Sequence, residues 1–294
     1  MTDICCIGHI TRDRIITQDP PNTIHCAGGS AYYMAWAMQA LPQDVDFHLI
    51  TAVSREVMPE VERLREAGIH VTAYESPTNV FFENKYGLNM DHRTQRVLAK
   101  SAPFTLRQLE YEEARVFHLG TLLADDFTPK TVEYLATKGD VSIDVQGYLR
   151  AVDGMQVRSV EWADKLRLLK CTAILKVNEW ECHTLTDISD PFAAAEQIHD
   201  WGVREVIITL GGGGSLIFAE GQFYETPAYP PRKLVDATGC GDTYSAGYLY
   251  ARAKGMGYAD SGRFAAAMCT LKLEHSGPFD HTIEDVYRII RNRP

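Results

Sequence analysis

The sequence predicts an α/β fold in which a mainly parallel sheet is flanked by helices. Apolar strand-like segments alternate with helix-like segments along most of the 294 residues. The intervening segments are long enough for the right-handed helical crossovers that join parallel strands. The length is sufficient for a full hydrophobic core in one large domain or two ordinary ones.

The predicted strands are short apolar runs, and the predicted helices have apolar residues at helical spacing. The strands are Asp3–Ile10, Asp46–Val53, Ala114–Gly120, Asp140–Val145, Thr172–Asn178 and Arg204–Gly211. The helices include Gly29–Leu41, Pro59–Gly68, Asp190–Gly202, Ala259–Leu273 with Asp260 as its cap, and Thr282–Asn292.

Two stretches, Asp13–Cys26 and Thr78–Ala99, interrupt this alternation with short strand-like runs and turn residues. They predict a small β subdomain formed by insertions at about 13–26 and 78–99, placed as a lid over the mouth of the sheet. Two surface hairpins without a role are the alternative. Exposed strand edges can pair between subunits, so a homodimer through the lid is a further hypothesis.

The composition excludes several classes of protein. The net charge of −10 argues against a nucleic-acid or anionic-membrane surface, which needs a basic patch. No apolar run approaches the ~18 residues of a membrane span, and the P-loop, GxGxxG, GxSxG and HExxH motifs are absent. Seven cysteines without metal-binding spacing, and an N-terminus without a basic signal region, predict a reducing, cytoplasmic location.

The stretch VDATGCGDTYSAGYLYARAKG, residues 235–255, carries the strongest chemical signal. A glycine-rich loop followed by a helix places the amides of Gly239, Cys240 and Gly241 at a positive helix end, which is an anion site. Asp242 beside such a site can accept a hydroxyl proton while that oxygen attacks a phosphoryl group. The residues alone leave an alternative open, in which Asp242 is only an acidic residue in the first helical turn.

The segment DATGCGDTYSAG resembles the C-terminal signature D-T-x-G-A-G-D of ribokinase-like (PfkB-type) kinases. Asp236, Gly239, Gly241 and Asp242 match it, and Cys240 stands where alanine is usual. The segments GHITRD, CAGGSAYYMAWAM, KVNEWECHTL and ITLGGGGS are similar to other family elements and occur in the family's order. The resemblance covers essentially the whole chain. It implies a ribokinase-like three-layer sandwich with a β lid, as one kinase domain over 1–294.

The family implies ATP-dependent phosphorylation of a hydroxyl of a small carbohydrate or polyol, with Mg²⁺ and with K⁺ as an optional activator near Asp236. Asp242 is then the general base, and Gly239, Cys240 and Gly241 donate amides to the transferring phosphoryl group. The acceptor is held by Asp13, Gly28, Gly29, Tyr33 and, at the border of its pocket, Gln146. The nucleotide side comprises Asn178 and Glu181 (Mg²⁺, largely through water), Thr209, Gly211, Gly214, Asp236, Thr238, His275 and Gly277.

Tyr33 and Cys240 depart from the family pattern. Tyr33 stands where the family has a sugar-binding asparagine, so the acceptor is a differently shaped polyol, a cyclitol such as inositol, or a nucleoside. A thiol at a helix N-terminus can have a lowered pKa, although Cys240 can also be a simple replacement for alanine. Nucleoside kinase and non-catalytic ligand-binding protein are the alternative functions. The alternative for Asn178 and Glu181 is that they only cap a helix. Gln146 and Arg150 follow a predicted strand end and so border the pocket, although Arg150 can equally be a solvated surface charge.

Overall fold

The computed structural model describes residues 1–18, 21–86 and 93–292, which contain fifteen β-strands and ten α-helices. The strands are β1 (Thr2–Gly8), β2 (Thr11–Gln18), β3 (Pro21–Gly28), β4 (Phe47–Val53), β5 (His70–Glu75), β6 (Phe81–Tyr86), β7 (Arg93–Ala99), β8 (Ala114–Gly120), β9 (Asp140–Asp144), β10 (Arg150–Asp153), β11 (Gln156–Ser159), β12 (Ile174–Asn178), β13 (Glu205–Thr209), β14 (Ser215–Ala219) and β15 (Gln222–Thr226). The helices are α1 (Ser30–Gln39), α2 (Met58–Glu66), α3 (Leu106–Leu109), α4 (Pro129–Ala136), α5 (Lys165–Leu169), α6 (Glu179–Thr186), α7 (Pro191–Asp200), α8 (Cys240–Ala253), α9 (Tyr258–Leu273) and α10 (Ile283–Asn292).

Nine of the described strands form one sheet in the order β15-β14-β13-β12-β9-β8-β1-β4-β5. Pairing is parallel from β13 to β5, and β14 and β15 add an antiparallel edge. Successive side chains of a strand point to opposite faces: in β1, Ile4 and Cys6 belong to the core against α1, α8 and α9, and Cys5 and Ile7 to the core against α4 to α7. The predicted α/β class with helices on both faces is therefore confirmed.

A second sheet has the order β10-β11-β7-β6-β2-β3 among the described strands. Strands β2, β3, β6 and β7 come from the two predicted insertions, of which residues 19–20 and 87–92 lie outside the described ranges. The sequence did not indicate the third hairpin, β10–β11, which follows a 3₁₀ helix at Val145–Leu149. The lid role and the homodimer remain predictions.

The predicted elements occur with shifted ends. Helix α8 begins at Cys240, two positions before the expected Asp242, because left-handed Gly239 (φ 79°) is its N-cap. Asp260 was expected to cap α9, and this was wrong: the N-cap is Gly257, and Asp260 lies in the first turn. None of the described helices is both long enough and apolar enough to cross a membrane.

The topology brings strand ends and helix N-termini together. In a parallel sheet the carboxyl ends of the strands lie on one edge, and ligands bind there. The ends of β9, β12 and β13 meet the first turns of α1, α6 and α8 at this edge, and the second sheet contributes β2, β6 and β7 from above.

Candidate active site

The N-terminus of α8 is built from a short loop that fixes its own geometry. Asp236 Oδ1 accepts a hydrogen bond from the amide of Thr238 at 2.9 Å, which closes an Asx turn. Gly239 then adopts φ 79°, where a Cβ would overlap the ring of Tyr33. We call the loop of residues 236–241 the anion loop. Tyr33, which the sequence assigned to the acceptor, therefore also packs directly on it.

Asp242 lies in the first turn of α8 and faces the first turn of α1. Its Oδ1 accepts a hydrogen bond from Ser30 Oγ at 2.6 Å. Ser30 can be so close because Gly29, at φ 91°, turns the chain tightly against the carbonyl of His9. The hydroxyl thereby fixes one oxygen of the carboxylate. Ser30 follows the glycine pair in the sequence, but only the fold shows that it reaches Asp242.

The amides of the loop do not all point outward. The amide of Cys240 donates to the carbonyl of Ala237 at 3.2 Å, so it is engaged within the turn. The family resemblance had implied that this amide binds the phosphoryl group. Gly241 lies next to a cation instead: a Cβ there would be 3.3 Å from Lys176 Nζ.

Lys176 and Asp144 form a buried ion pair that sequence reasoning missed. Lys176 Nζ lies 2.8 Å from Asp144 Oδ2, and both side chains are 8% exposed. Burial alone lowers the pKa of Lys176, but the carboxylates of Asp144, Glu181 and Asp242 outweigh it and raise the pKa, so the ammonium stays charged. A lysine inside the apolar strand ILKVN was the available signal, because lysines are almost never fully buried without a partner.

The pKa of Asp242 is raised by burial and by the nearby Asp144 carboxylate. The hydrogen bond from Ser30 and the positive charges of Lys176 and Arg150 act in the opposite direction. A carboxylate with a raised pKa is a stronger base than an exposed aspartate, and this suits proton abstraction. Arg150 lines the same polar cavity as Asp242, which is described below. This favours a position at the pocket over a solvated surface charge.

Asn178 and Glu181 form a complete capping box at the start of α6. Asn178 Oδ1 accepts from the amide of Glu181 at 2.8 Å, and Glu181 Oε2 accepts from the amide of Asn178 at 2.9 Å. Burial and the Asp144 carboxylate raise the pKa of Glu181. The capping alternative is thus present, and both residues also line the polar cavity described below.

Two cavities meet at this edge of the sheet. A polar cavity of about 350 Å³ has Asp242 in its wall. The predicted site residues that line it are Asp13, Gly29, Tyr33, Gln146, Asn178, Glu181, Thr209, Thr238, Gly239, Gly241 and Asp242. Its other polar residues are Ser30, Asn84, Gln95, Asp144, Arg150 and Lys176.

The second cavity is larger, about 850 Å³, and mostly apolar. Of the predicted residues, it is lined by Asn178, Thr209, Gly211, Gly214, Cys240 and Gly241. Its apolar walls come from Trp180, Tyr229, Tyr244, Ala266, Cys269 and Leu273. Asn178, Thr209, Ala237 and Gly241 belong to both cavities, so the anion loop forms the passage between them.

Four predicted residues line neither cavity. Gly28 lies behind Asp13, where a Cβ would be 2.6 Å from Asp13 Oδ2. Asp236 is the first residue of the loop and closes its Asx turn. The sequence placed His275 and Gly277 at the adenine, but His275 contacts other residues: its Nε2 is 3.1 Å from His281 Nε2, and its Nδ1 is 3.2 Å from Asp280 Oδ1.

The Cys240 thiol does not have a lowered pKa. Burial raises its pKa to about 11, and the nearby Lys272 only partly offsets this. Burial thus opposes the lowering that a helix N-terminus can produce, and this favours Cys240 as a simple replacement for alanine.

A family model described as pfkB family carbohydrate kinase matches residues 1–284. The chain belongs to this family, which confirms the resemblance found in the sequence. The uncharacterized sugar kinase YeiI of Escherichia coli is 27% identical over 267 residues, or 85% of this chain and 70% of that protein. A cytidine kinase of Thermococcus kodakarensis is 32% identical over 149 residues. This match covers 50% of this chain and 50% of the length of the cytidine kinase.

Solved structures extend the similarity to the whole fold. A pyrophosphate-dependent kinase in the ribokinase family, complexed with a pyrophosphate analog and myo-inositol, superposes with a TM-score of 0.86 at 26% identity. The superposition covers 97% of this chain and 99% of that one. The ribokinase-like fold that the sequence predicted is thereby confirmed.

Proposed function

We propose that this protein transfers the γ-phosphoryl group of ATP to a hydroxyl of a small neutral polyol or cyclitol, with Asp242 as the general base. One observation carries the proposal: Asp242 lies in the wall of the polar cavity, next to Gly241, which borders both cavities. An acceptor hydroxyl on one side and a phosphoryl group on the other meet within reach of the same carboxylate.

The polar cavity supports a hydroxyl-rich acceptor. Thr11 Oγ1 donates to Asp13 Oδ1 at 2.7 Å, which holds Asp13 in the wall, and Gln95 Nε2 donates to Asn84 Oδ1 at 3.0 Å. Carboxylates accept hydrogen bonds from sugar or cyclitol hydroxyls, and side-chain amides both donate to and accept from them. Phe82 and Tyr33 line the same cavity but are only 5% and 8% exposed, so they offer little open ring surface for stacking of a nucleoside base.

The apolar cavity supports a nucleotide donor. Beyond the anion loop it extends between Tyr229, Tyr244 and Leu273, a surface that suits a purine ring and that an inorganic donor does not need. Pyrophosphate is the second candidate donor, because the similar structure described above is a pyrophosphate-dependent kinase in complex with myo-inositol.

The residues present fit Mg²⁺ held with the phosphates. Glu181 and Asn178 provide the oxygen ligands that Mg²⁺ prefers, and Mg²⁺ commonly keeps several waters. Within residues 1–18, 21–86 and 93–292, the groups of His, Cys, Asp and Glu close enough to chelate an ion directly lie elsewhere. Glu181 and Asn178 would hold such an ion largely through water, and the ion would neutralise phosphate charge.

The side chains of the site then have separate roles in the transfer. Ser30 orients Asp242, and Asp242 takes the proton from the acceptor hydroxyl. The Lys176 ammonium, beside Gly241, offsets negative charge on the transferring group. The second sheet closes over the acceptor and excludes water.

The edge strand of this sheet, β3, is exposed over residues 21–25. It provides the surface for a homodimer, and the protein acts in the cytoplasm.

A donor-by-acceptor matrix tests the proposal. Purified protein is incubated with Mg²⁺ and either ATP or pyrophosphate, against cyclitols, sugars and nucleosides, and phosphorylated product is measured by mass spectrometry. We expect product from a cyclitol or polyol with ATP. Product from nucleosides alone would support the alternative of a nucleoside kinase. Product with pyrophosphate alone would show that pyrophosphate, and not ATP, is the donor. No product in any combination would support a non-catalytic binding protein.

A further inference from the structure

Lys272, in the last turn of α9, is fully buried, at 0% exposure. Its Nζ donates to the backbone carbonyl of Asp236 at 3.2 Å and to that of His275 at 3.3 Å, and it lies 3.7 Å from Asp236 Oδ2. A buried ammonium is costly unless oxygen atoms surround it. The three oxygens therefore form a dedicated cation site, which the chain fills with its own side chain.

This site lies directly behind the anion loop. Asp236 uses its other carboxylate oxygen, Oδ1, to hold the amide of Thr238, and the amide of Val235 donates to Leu273 at 2.8 Å. The residues that begin the loop, Val235 and Asp236, are thus tied to the end of α9 around Lys272. The ammonium also lowers the pKa of Cys240, against the larger effect of burial, so its field reaches the first residue of α8.

A free monovalent ion does not fit beside this group. It would need the carbonyl oxygens that the ammonium already binds, and two like charges a few ångströms apart repel strongly in a buried site. The optional K⁺ that the sequence suggested near Asp236 therefore disagrees with the residues present.

We propose that Lys272 is a positioning residue that acts as a tethered monovalent cation. It holds the Asp236–Gly241 loop in the conformation that receives the phosphoryl group, and it makes the reaction independent of added K⁺. The inference rests on the proposed kinase function and explains how that site is ordered without a dissociable ion.

Chemical rescue tests this role. Lys272→Ala leaves an empty space beside the same oxygens, and Lys272→Met fills the space with an apolar chain. Each protein is assayed in choline, Na⁺, K⁺ or NH₄⁺ chloride at constant ionic strength, and its melting temperature is recorded in the same salts. For the wild type we expect equal kcat and equal melting temperature in all four.

For Lys272→Ala we expect kcat to fall by about tenfold or more in choline, through loss of alignment, with the KM of the acceptor little changed. NH₄⁺ or K⁺ then restores kcat several-fold and raises the melting temperature, whereas Lys272→Met responds to neither. Stimulation of the wild type by K⁺, or a Lys272→Ala protein that is fully active in choline, overturns the proposal. If the wild type itself phosphorylates nothing, the proposed function fails, and the melting temperatures of Lys272→Ala still decide whether this is a cation site.

Discussion

The two cavities that meet at Gly241 differ in chemistry and in origin. The apolar cavity, which we propose binds the donor and call the donor cavity, is lined by the anion loop, α8 and α9. The polar cavity, which we propose binds the acceptor and call the acceptor cavity, combines strand ends of the large sheet with side chains of the second sheet. Under the proposed function, the reaction takes place at the loop common to both cavities, and the choice of acceptor depends on residues contributed by the second sheet.

Asp242→Asn gives the largest expected effect, because it removes the base at the point shared by both cavities. We expect kcat to fall by ~10²-fold or more, the usual loss for a general base. Binding of ATP and of acceptor, measured by calorimetry, is expected to persist. Asp260→Asn, in the first turn of α9, is the matched control and should retain full activity. An Asp242→Asn protein with near-normal kcat would falsify the assignment.

Lys176 is expected to lower the pH at which the acid limb of the kcat/KM profile occurs, because it lowers the pKa of Asp242. Since the pKa of Asp242 is raised, kcat/KM falls as pH decreases through that pKa, at a higher pH than for an ordinary aspartate. Lys176→Met removes a charge that lowers the Asp242 pKa, so the acid limb moves to still higher pH and kcat falls by about tenfold or more.

The control for this prediction combines Lys176→Met with Asp144→Asn. It avoids leaving a buried carboxylate without its partner, which would destabilise the fold by about 3–5 kcal/mol. It also removes the Asp144 carboxylate, which raises the Asp242 pKa, so its acid limb should lie below that of the single variant. An acid limb that is unchanged in the folded single variant contradicts the electrostatic role of Lys176.

Ala266→Leu narrows the donor cavity alone. Ala266 lines its apolar wall on α9 and is 8% exposed. We expect the KM for ATP to rise by roughly tenfold, from the loss of about 1.4 kcal/mol of ring packing, with the KM of the acceptor unchanged. Arg263→Ala, one turn earlier on the same helix, is the control. If ATP KM stays constant in a stable variant, the nucleotide base does not use this cavity.

Asn84→Leu and Gln95→Leu alter the acceptor cavity alone and have the smallest expected effect. Each removes an amide from the polar wall, and loss of one hydrogen bond costs about 0.5–1.5 kcal/mol, or roughly two- to tenfold in kcat/KM. We expect a changed ranking among cyclitol isomers and an unchanged KM for ATP. Thr94→Val, at an exposed position of β7, is the control. Identical acceptor rankings in all three variants would place recognition elsewhere.

The sequence predicted the loop of residues 236–241 and the adjacent Asp242 better than the groups that surround them. Asp242, Gly239 and Gly241 lie in one continuous motif, and local geometry places them at the helix N-terminus whatever surrounds them. Ser30 and Lys176 are far from that motif in sequence, so only the packing of α1 and β12 against α8 brings them to it.

The same reasoning explains the other differences from prediction. Asp144 ends β9, where the rule for parallel sheets could have identified it. Hairpin β10–β11, which follows Asp144 and Gln146 and begins at the cavity residue Arg150, has no strong strand signal of its own and is stabilised by pairing with β7. His275 falls outside the cavity because the chain after α9 turns to bury Lys272 and to pair His275 with His281.

A crystal structure with a productive acceptor and a non-hydrolysable ATP analogue tests the central claim most directly. The measured quantity is the distance from the acceptor oxygen to the Asp242 carboxylate, and its position relative to the γ-phosphorus. We predict a hydrogen-bonding distance of about 2.6–3.2 Å, an in-line γ-phosphate over Gly241, and the base between Tyr229 and Leu273. An acceptor hydroxyl out of reach of Asp242, or a nucleotide bound outside the apolar cavity, would contradict the account.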